Sequence, residues 1–400
     1  MPDTKQLLYF NALFDLSPGG HSNPALNRAA REMGTLLIPM GTRNDLILLF
    51  AHISNDYIQF LEEAGLDMPQ VVNSHFKSDE RTVALPWGWD EEVIRLFSSM
   101  GISMLHPDPA IVRKVNNREF CHTFSLKESA GVPNSLLLLL GQDLNILFAT
   151  GNLKYPSIVK PAHGSSGFGF ILLEGPPDNH TLAGIKKLLD QGSIILEPWC
   201  KRVHDISSSL TINFDGTLSD INHYRCHVNS RGTFYGVYLS PDPVTLKPWT
   251  DILTEKVHSC AGYLYSQGFF GPAGFDSFTY EDKSGNIHLA PIIEINARHV
   301  ISDIARALKN RLAPQKHVFY RLLNSKRCHL PDSYPSLRSL LGETLFSPCT
   351  QEGILPLTPL RITTDITRQP YRNAFFIAAQ NEKTLFELDA ILLEKVQNKV

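Results

Sequence analysis

Ile158-Val159-Lys160-Pro161-Ala162-His163-Gly164-Ser165-Ser166-Gly167-Phe168-Gly169 is the stretch on which the reading of this chain turns. Two β-branched residues carry a lysine on a short strand, expected over 157–160, and a glycine-rich loop opens within four residues. Consecutive loop N–H groups can wrap phosphate oxygens, because glycine permits close approach and positive φ. The lysine adds a point charge for the same anion. No Gly-Lys-Ser/Thr occurs, and a strand over 170–173 rather than a helix is expected next, so this is not a Walker A loop. Taken alone, the same residues also describe a glycine-rich hairpin with a surface lysine.

Working outward, 117–131 reads as a helix closed by Gly131-Val-Pro133, glycine then proline being common stop chemistry. A helix with Leu182, Ile185, Leu188 and Leu189 on one face leads to a strand over 194–197, followed by Glu197-Pro-Trp199-Cys200 and Asp205. Leu210, Ile212 and Phe214 alternate up to Asp215-Gly216, a hairpin signal. An amphipathic helix over 252–268 precedes two strands, 275–280 and 287–295, on either side of a polar turn.

These last strands hold Gly274-Phe-Asp276 and Glu294-Ile-Asn296. Glu294 and Asn296 are two apart and point to one sheet face. A carboxylate and an amide among Ile292, Ile293 and Ile295 are costly to bury unless paired or metal-bound, and oxygen donors suit Mg²⁺. A charged pair reaching solvent at a strand end is the other reading. Arg298 could grip a phosphate or carboxylate bidentately, or form an ordinary salt bridge with Asp303. Arg225 and Arg231 are either phosphate or substrate contacts or exposed strand charges.

In this order and spacing, the motifs resemble the ATP-grasp superfamily, carboxylate–amine ligase type, over roughly 113–325. The resemblance implies that Lys160 binds nucleotide phosphates under a flap of Gly164, Ser165, Ser166, Gly167, Phe168 and Gly169. It places the backbone from Glu197 through Trp199 to Cys200 against adenine and Asp205 near the ribose. Asp276, Glu294 and Asn296 fall on the Mg²⁺ ligands. Arg298 falls on the arginine of Glu-x-Asn-x-Arg, which steadies the transferring phosphoryl group or the acceptor carboxylate, and Arg225 is a further catalytic candidate. Two features depart from the pattern. Asn117-Arg118-Glu119-Phe120 stands where a second nucleotide lysine is usual, so Arg118 is the expected substitute, and Asp205 is about one residue out of place. Gly41-Thr-Arg-Asn-Asp-Leu-Ile-Leu-Leu-Phe50 and Gly353-Ile-Leu-Pro356 more faintly resemble pheganomycin-type peptide ligases.

The implied chemistry is phosphorylation of a carboxylate by ATP, giving ADP and an acylphosphate that an amine then displaces. Phosphoryl transfer asks mainly for positioning and charge neutralisation, so no serine or cysteine nucleophile is required. ATP and Mg²⁺ are the expected cofactors, and a small-molecule carboxylate and amine the expected partners. A carboxylase-like acylphosphate enzyme and a non-catalytic nucleotide-binding regulator are the alternatives, and a homodimer is left open.

The rest of the 400 residues sets bounds. Lys plus Arg number 37 against 40 Asp plus Glu, a net charge of −3, which excludes a strongly basic nucleic-acid binder but not a local basic cleft. Six scattered cysteines with no Cys-x-x-Cys read as free thiols in a reducing compartment. The greasiest run, 136–140, is far below the ~20 residues of a membrane span, so no membrane partner and a cytoplasmic location are expected. Asn11 interrupts the apolar patch at 7–14, which reads as a buried first strand rather than a signal peptide.

The fold expected is α/β (α+β), an ATP-grasp fold with a Rossmann-like N-terminal domain and a small C-terminal α/β subdomain. The divisions are 1–112, a leading domain with strands at 34–38 and 45–50 and a helix at 55–63; 113–196, the lid with the glycine-rich loop; 197–330, the catalytic part; and 331–400, the proline-punctuated tail. No Gly-x-Gly-x-x-Gly follows the first strand, so no dinucleotide site is expected there.

Overall fold

The computed structural model describes residues 4–11, 13–14, 24–78, 82–149, 153–164, 169–230, 232–242, 246–364 and 366–397. Its first sheet runs Gln70–Val72, Leu46–Leu48, Lys5–Tyr9, Thr82–Pro86, parallel throughout. Helices Asn55–Glu63 and Glu91–Met100 start on Ser54 and Asp90, whose side chains accept the N–H groups of Tyr57 and Val93. Strand–helix alternation thus yields the Rossmann-like unit expected. One expectation fails: 34–38 lies in a 3-10 helix, Met33–Met40, and not in a strand. Pro39 has no N–H for a ladder, and Arg311 donates to the carbonyls of Pro39 and Gly41 at 3.2 and 2.6 Å, holding the segment against helix Ile301–Leu312.

A second, antiparallel sheet of four strands runs Leu136–Leu138, Ile194–Pro198, Ser157–Pro161, Ile171–Leu173. Ile185 and Leu189 of helix Asn179–Gln191 close its core. The third sheet has eight strands in the order Ile287–Asn296, Gly271–Glu281, Lys201–Ile212, Leu218–Val228, Phe234–Leu239, His317–Asn324, Arg372–Ala379, Gly353–Pro356, all antiparallel. Helix Lys247–Ser266 covers one face through Val257, Ala261 and Leu264 against Leu210, Phe275 and Ile295. Helix Ile301–Leu312 covers the other through Ile304 and Leu308 against Val237. The tail therefore supplies two strands to the sheet that carries Asp276 and Glu294. No helix among the described residues is long and apolar enough to cross a membrane.

Candidate active site

Side chains alternate across a strand, so register decides which ones meet. Asp276 pairs directly with Glu294, and Gly274 with Asn296, placing Asp276, Glu294 and Asn296 on one sheet face. Gly274 is required there: a Cβ would stand 2.3 Å from Cγ1 of Val300, just before helix Ile301–Leu312. Asn296 Nδ2 donates to Asp276 Oδ2 at 3.4 Å, and Arg298 donates to Asn296 Oδ1 at 2.9 Å and to the His299 carbonyl at 2.8 Å. The Arg298 guanidinium also lies 5.4 Å from the ring of Trp87, which follows the last strand of the parallel sheet. Burial raises the Asp276 carboxyl to about 7; the facing Glu294 carboxylate adds to the rise, and Arg298 and Asn296 oppose it. Two facing carboxylates beside an amide oxygen form a hard-donor set that could hold Mg²⁺. Among the described residues, no group of three or more His, Cys, Asp or Glu is placed to hold a metal.

The same cleft is lined by Lys160, Phe170, Trp199, Arg202, Asp205, Asp276, Glu294, Asn296 and Arg298. Lys160 comes up from the four-stranded sheet and pairs with Glu197 at 2.5 Å, both buried. Arg202 donates to Asp205 at 2.6 Å, with its guanidinium 4.3 Å from the Phe278 ring and 5.2 Å from that of Trp199. Burial pushes the Asp205 carboxyl upward against the pull of Arg202. Arg118 reaches the site from the lid side, bonding the Gly164 carbonyl at 2.9 Å and Glu294 at 2.5 Å. Ser165, Ser166, Gly167 and Phe168 lie outside the described residues, as does Arg231.

One expected residue, Arg225, leaves the face of Asp276 and Glu294. Arg225 neighbours Cys226 on its strand, and Cys226 pairs with Asp205 in the cleft. Arg225 therefore projects from the opposite face, where it is ion-paired with Glu382 and stacked 4.3 Å over Tyr238. Alternation thus turns this expected catalytic arginine away from the face of Asp276 and Glu294 and onto a pocket that it shares with Trp199, Arg202 and Asp205. Cys200, expected to act through its backbone, packs its side chain against the cluster of Val132, Phe278 and Ala290, where burial raises its thiol. Sequence reasoning missed Arg202, Phe170 and Trp87. Arg202 had a usable signal, lying in the hinge three residues before Asp205; Trp87 had none, being 211 positions from Arg298 by subtraction.

A second cleft opens on the far side of Glu294 and Asn296, lined by Phe14, Trp89, Asp90, Arg95, Arg113 and His163. It joins the leading domain to the sheet face of Glu294 and Asn296. Ligands in open α/β sheets bind beyond the carboxyl ends of the strands, the side on which Trp89 and Asp90 lie.

No family model and no curated protein matches the chain. Solved structures do. One is the N5-carboxyaminoimidazole synthetase of Staphylococcus aureus complexed with ADP, 12% identical over 98% of each chain, TM-score 0.54. Another is a biotin carboxylase–β,γ-ATP complex from Campylobacter jejuni, 13% identical over 98% of this chain and 92% of that one, TM-score 0.57. The biotin carboxylase domain of the Hydrogenobacter thermophilus 2-oxoglutarate carboxylase, holding MgADP and bicarbonate, is 12% identical over 98% and 90%, TM-score 0.54. The fold is that of the ATP-grasp enzymes, across nearly the whole chain.

Proposed function

We propose that this chain is an ATP- and Mg²⁺-dependent, ADP-forming carboxylate–amine ligase acting in the cytoplasm on an amino acid, peptide or related small acid. The observation that carries the reading is the convergence of Lys160, Asp205, Asp276, Glu294, Asn296 and Arg298 on one cleft, in a fold whose solved relatives hold ADP or MgADP. Lys160 and Arg118 face the phosphates, Asp205 the ribose, and the backbone of 197–200 the base. Bound at Asp276, Glu294 and Asn296, Mg²⁺ would neutralise charge on the transferring phosphoryl group. Arg298 orients the acid so that its oxygen bonds the γ-phosphorus as the bridging P–O bond breaks and ADP departs. The amine, entering by the second cleft, then bonds the acyl carbon as the C–O bond to phosphate breaks. Bicarbonate as the acid is the second reading, favoured by the relative that holds it.

Thermal unfolding with and without Mg·ATP, in the parent and in Glu294→Ala, tests this. A ligand at 100 times its dissociation constant adds about 2.7 kcal/mol, enough to see. The shift in the parent should need Mg²⁺ and shrink in the variant, and pools of acids and amines, bicarbonate included, should then release ADP. A Mg²⁺-independent shift of equal size in both proteins would refute the metal assignment. A shift without ADP release from any pool would favour a nucleotide-binding regulator.

A further inference from the structure

Arg118 opens helix Arg118–Lys127 and is only 4% exposed. Its backbone N–H donates to the Ala162 carbonyl at 2.9 Å, and one guanidinium nitrogen donates to the Pro161 carbonyl at 2.9 Å. The other terminal nitrogen is shared between the Gly164 carbonyl at 2.9 Å and Glu294 Oε1 at 2.5 Å. The guanidinium also stacks 5.2 Å over Phe170, a ring that Lys160 Nζ approaches to 5.8 Å. One buried cation thus stands between the phosphate-side loop and a carboxylate of the metal-ligand set.

We propose that Arg118 is an exchangeable internal counter-ion: it holds Glu294 until a divalent cation takes that carboxylate, and the freed guanidinium then serves the nucleotide phosphates. The inference rests on the function proposed above and adds how the site is loaded. Breaking a buried ion pair is costly when it strands one charge. Metal alone would take Glu294 and leave the guanidinium without a counter-charge. Nucleotide alone would draw Arg118 away and leave Glu294 facing Asp276. When both arrive, each charge changes partner and neither is stranded, so metal and nucleotide bind as a coupled pair. The three backbone carbonyls of 161, 162 and 164 keep Arg118 on the lid side throughout the exchange. The neighbouring Lys160–Glu197 pair lacks this property, since Glu197 is not among the metal-ligand carboxylates.

Calorimetric titration of Mn²⁺ alone, ADP alone and ADP with Mn²⁺ into the parent, Arg118→Gln, Arg118→Lys and Glu294→Gln provides the test. In Arg118→Gln, Mn²⁺ alone should bind roughly 5-fold or more tighter than in the parent, and the mutual enhancement between Mn²⁺ and ADP should fall by a similar factor. Glu294→Gln, although it removes a metal ligand, should bind metal-free ADP tighter than the parent does. Arg118→Lys keeps the charge and should stay near the parent in binding Mn²⁺ alone. Unchanged or weaker Mn²⁺ binding in Arg118→Gln, or weaker metal-free ADP binding in Glu294→Gln, overturns the exchange while leaving the ligase reading standing, provided the parent binds Mn²⁺ and ADP together. A parent that binds neither ligand overturns both.

Discussion

At Lys160 the chain shows how short-range and long-range information divide. That a lysine stands on a strand before a glycine-rich loop could be read locally; that its partner is Glu197, 37 residues on, required the antiparallel pairing of the two strands. His223 and His227 lie on the same strand as Arg225. Burial lowers each imidazole to about 4, and for His227 the arginines at 225 and 321 contribute as well. His223 is bonded to Ser208 and Thr254 at 2.7 and 2.9 Å. The unfolded chain takes up these protons near the ordinary histidine value, the folded protein only near 4, so acid favours unfolding across that interval. Stability should therefore fall as pH drops from about 6.5 to 4, by at most about 3 kcal/mol per histidine and less for these half-buried rings, and His223→Gln should flatten the slope of Tm against pH in that window. An unchanged slope would mean that His223 is protonated in the folded state. Asp276, Glu294 and Asn296 could be set on one face because all three fall within one hairpin, where parity alone decides it, while Arg298 lies two residues beyond the strand end. Arg118 could be read only as a cation of unknown partner, since Glu294 is 176 positions away. The partner of Arg225 was hidden for a related reason: Glu382 is 157 positions away, and nothing local gives the face.

Some elements carry in their ends the chemistry that starts them. Helix Glu382–Val396 begins where Asn381 accepts the N–H of Thr384, and helix Asn179–Gln191 begins where Asp178 accepts that of Thr181. The segment 34–38 misled because a short apolar run describes any backbone buried on all sides, and length and pattern do not separate strand from helix there. What makes it a 3-10 helix is tertiary. Gly34 through Pro39 are all buried, and the closing carbonyls find their donor on Arg311, about 270 residues away in sequence. Arg311→Met keeps the aliphatic stem and removes the donors, leaving the Pro39 and Gly41 carbonyls without this partner. A loss of about 1–3 kcal/mol is expected, read as a lower urea midpoint at unchanged slope. A loss below about 0.5 kcal/mol would show that water satisfies these carbonyls and that packing alone selects the helix.

The composition of the tail, with Pro331, Pro335, Pro348, Pro356 and Pro359, suggested a unit of its own, and composition is silent on which sheet a strand joins. In the folded chain, Arg372–Ala379 lies between His317–Asn324 and Gly353–Pro356, pairing from His317↔Ala379 through Asn324↔Arg372. Phe319 and Tyr320, both fully buried, share one core with Phe375, Phe376 and Leu385, and the rings of Phe319 and Phe386 stand 5.5 Å apart. Glu382 and Asp389 of the last helix add ion pairs to Arg225 and Arg321 on strands of the same sheet. A chain ending after residue 330 would keep the whole Asp276–Glu294 hairpin, yet expose a long apolar edge where one of its central strands was paired. That chain should lose the parent's cooperative thermal transition, bind an apolar-surface dye and associate, and Mg·ATP should give it no protection. A sharp transition near the parent Tm would instead make the tail a dispensable addition. The loss is expected because one sheet serves both purposes: the strands that orient Asp276 and Glu294 and those that complete the C-terminal core belong to a single hydrogen-bonded array, so the geometry of these two carboxylates depends on residues roughly 60 to 100 positions away in sequence.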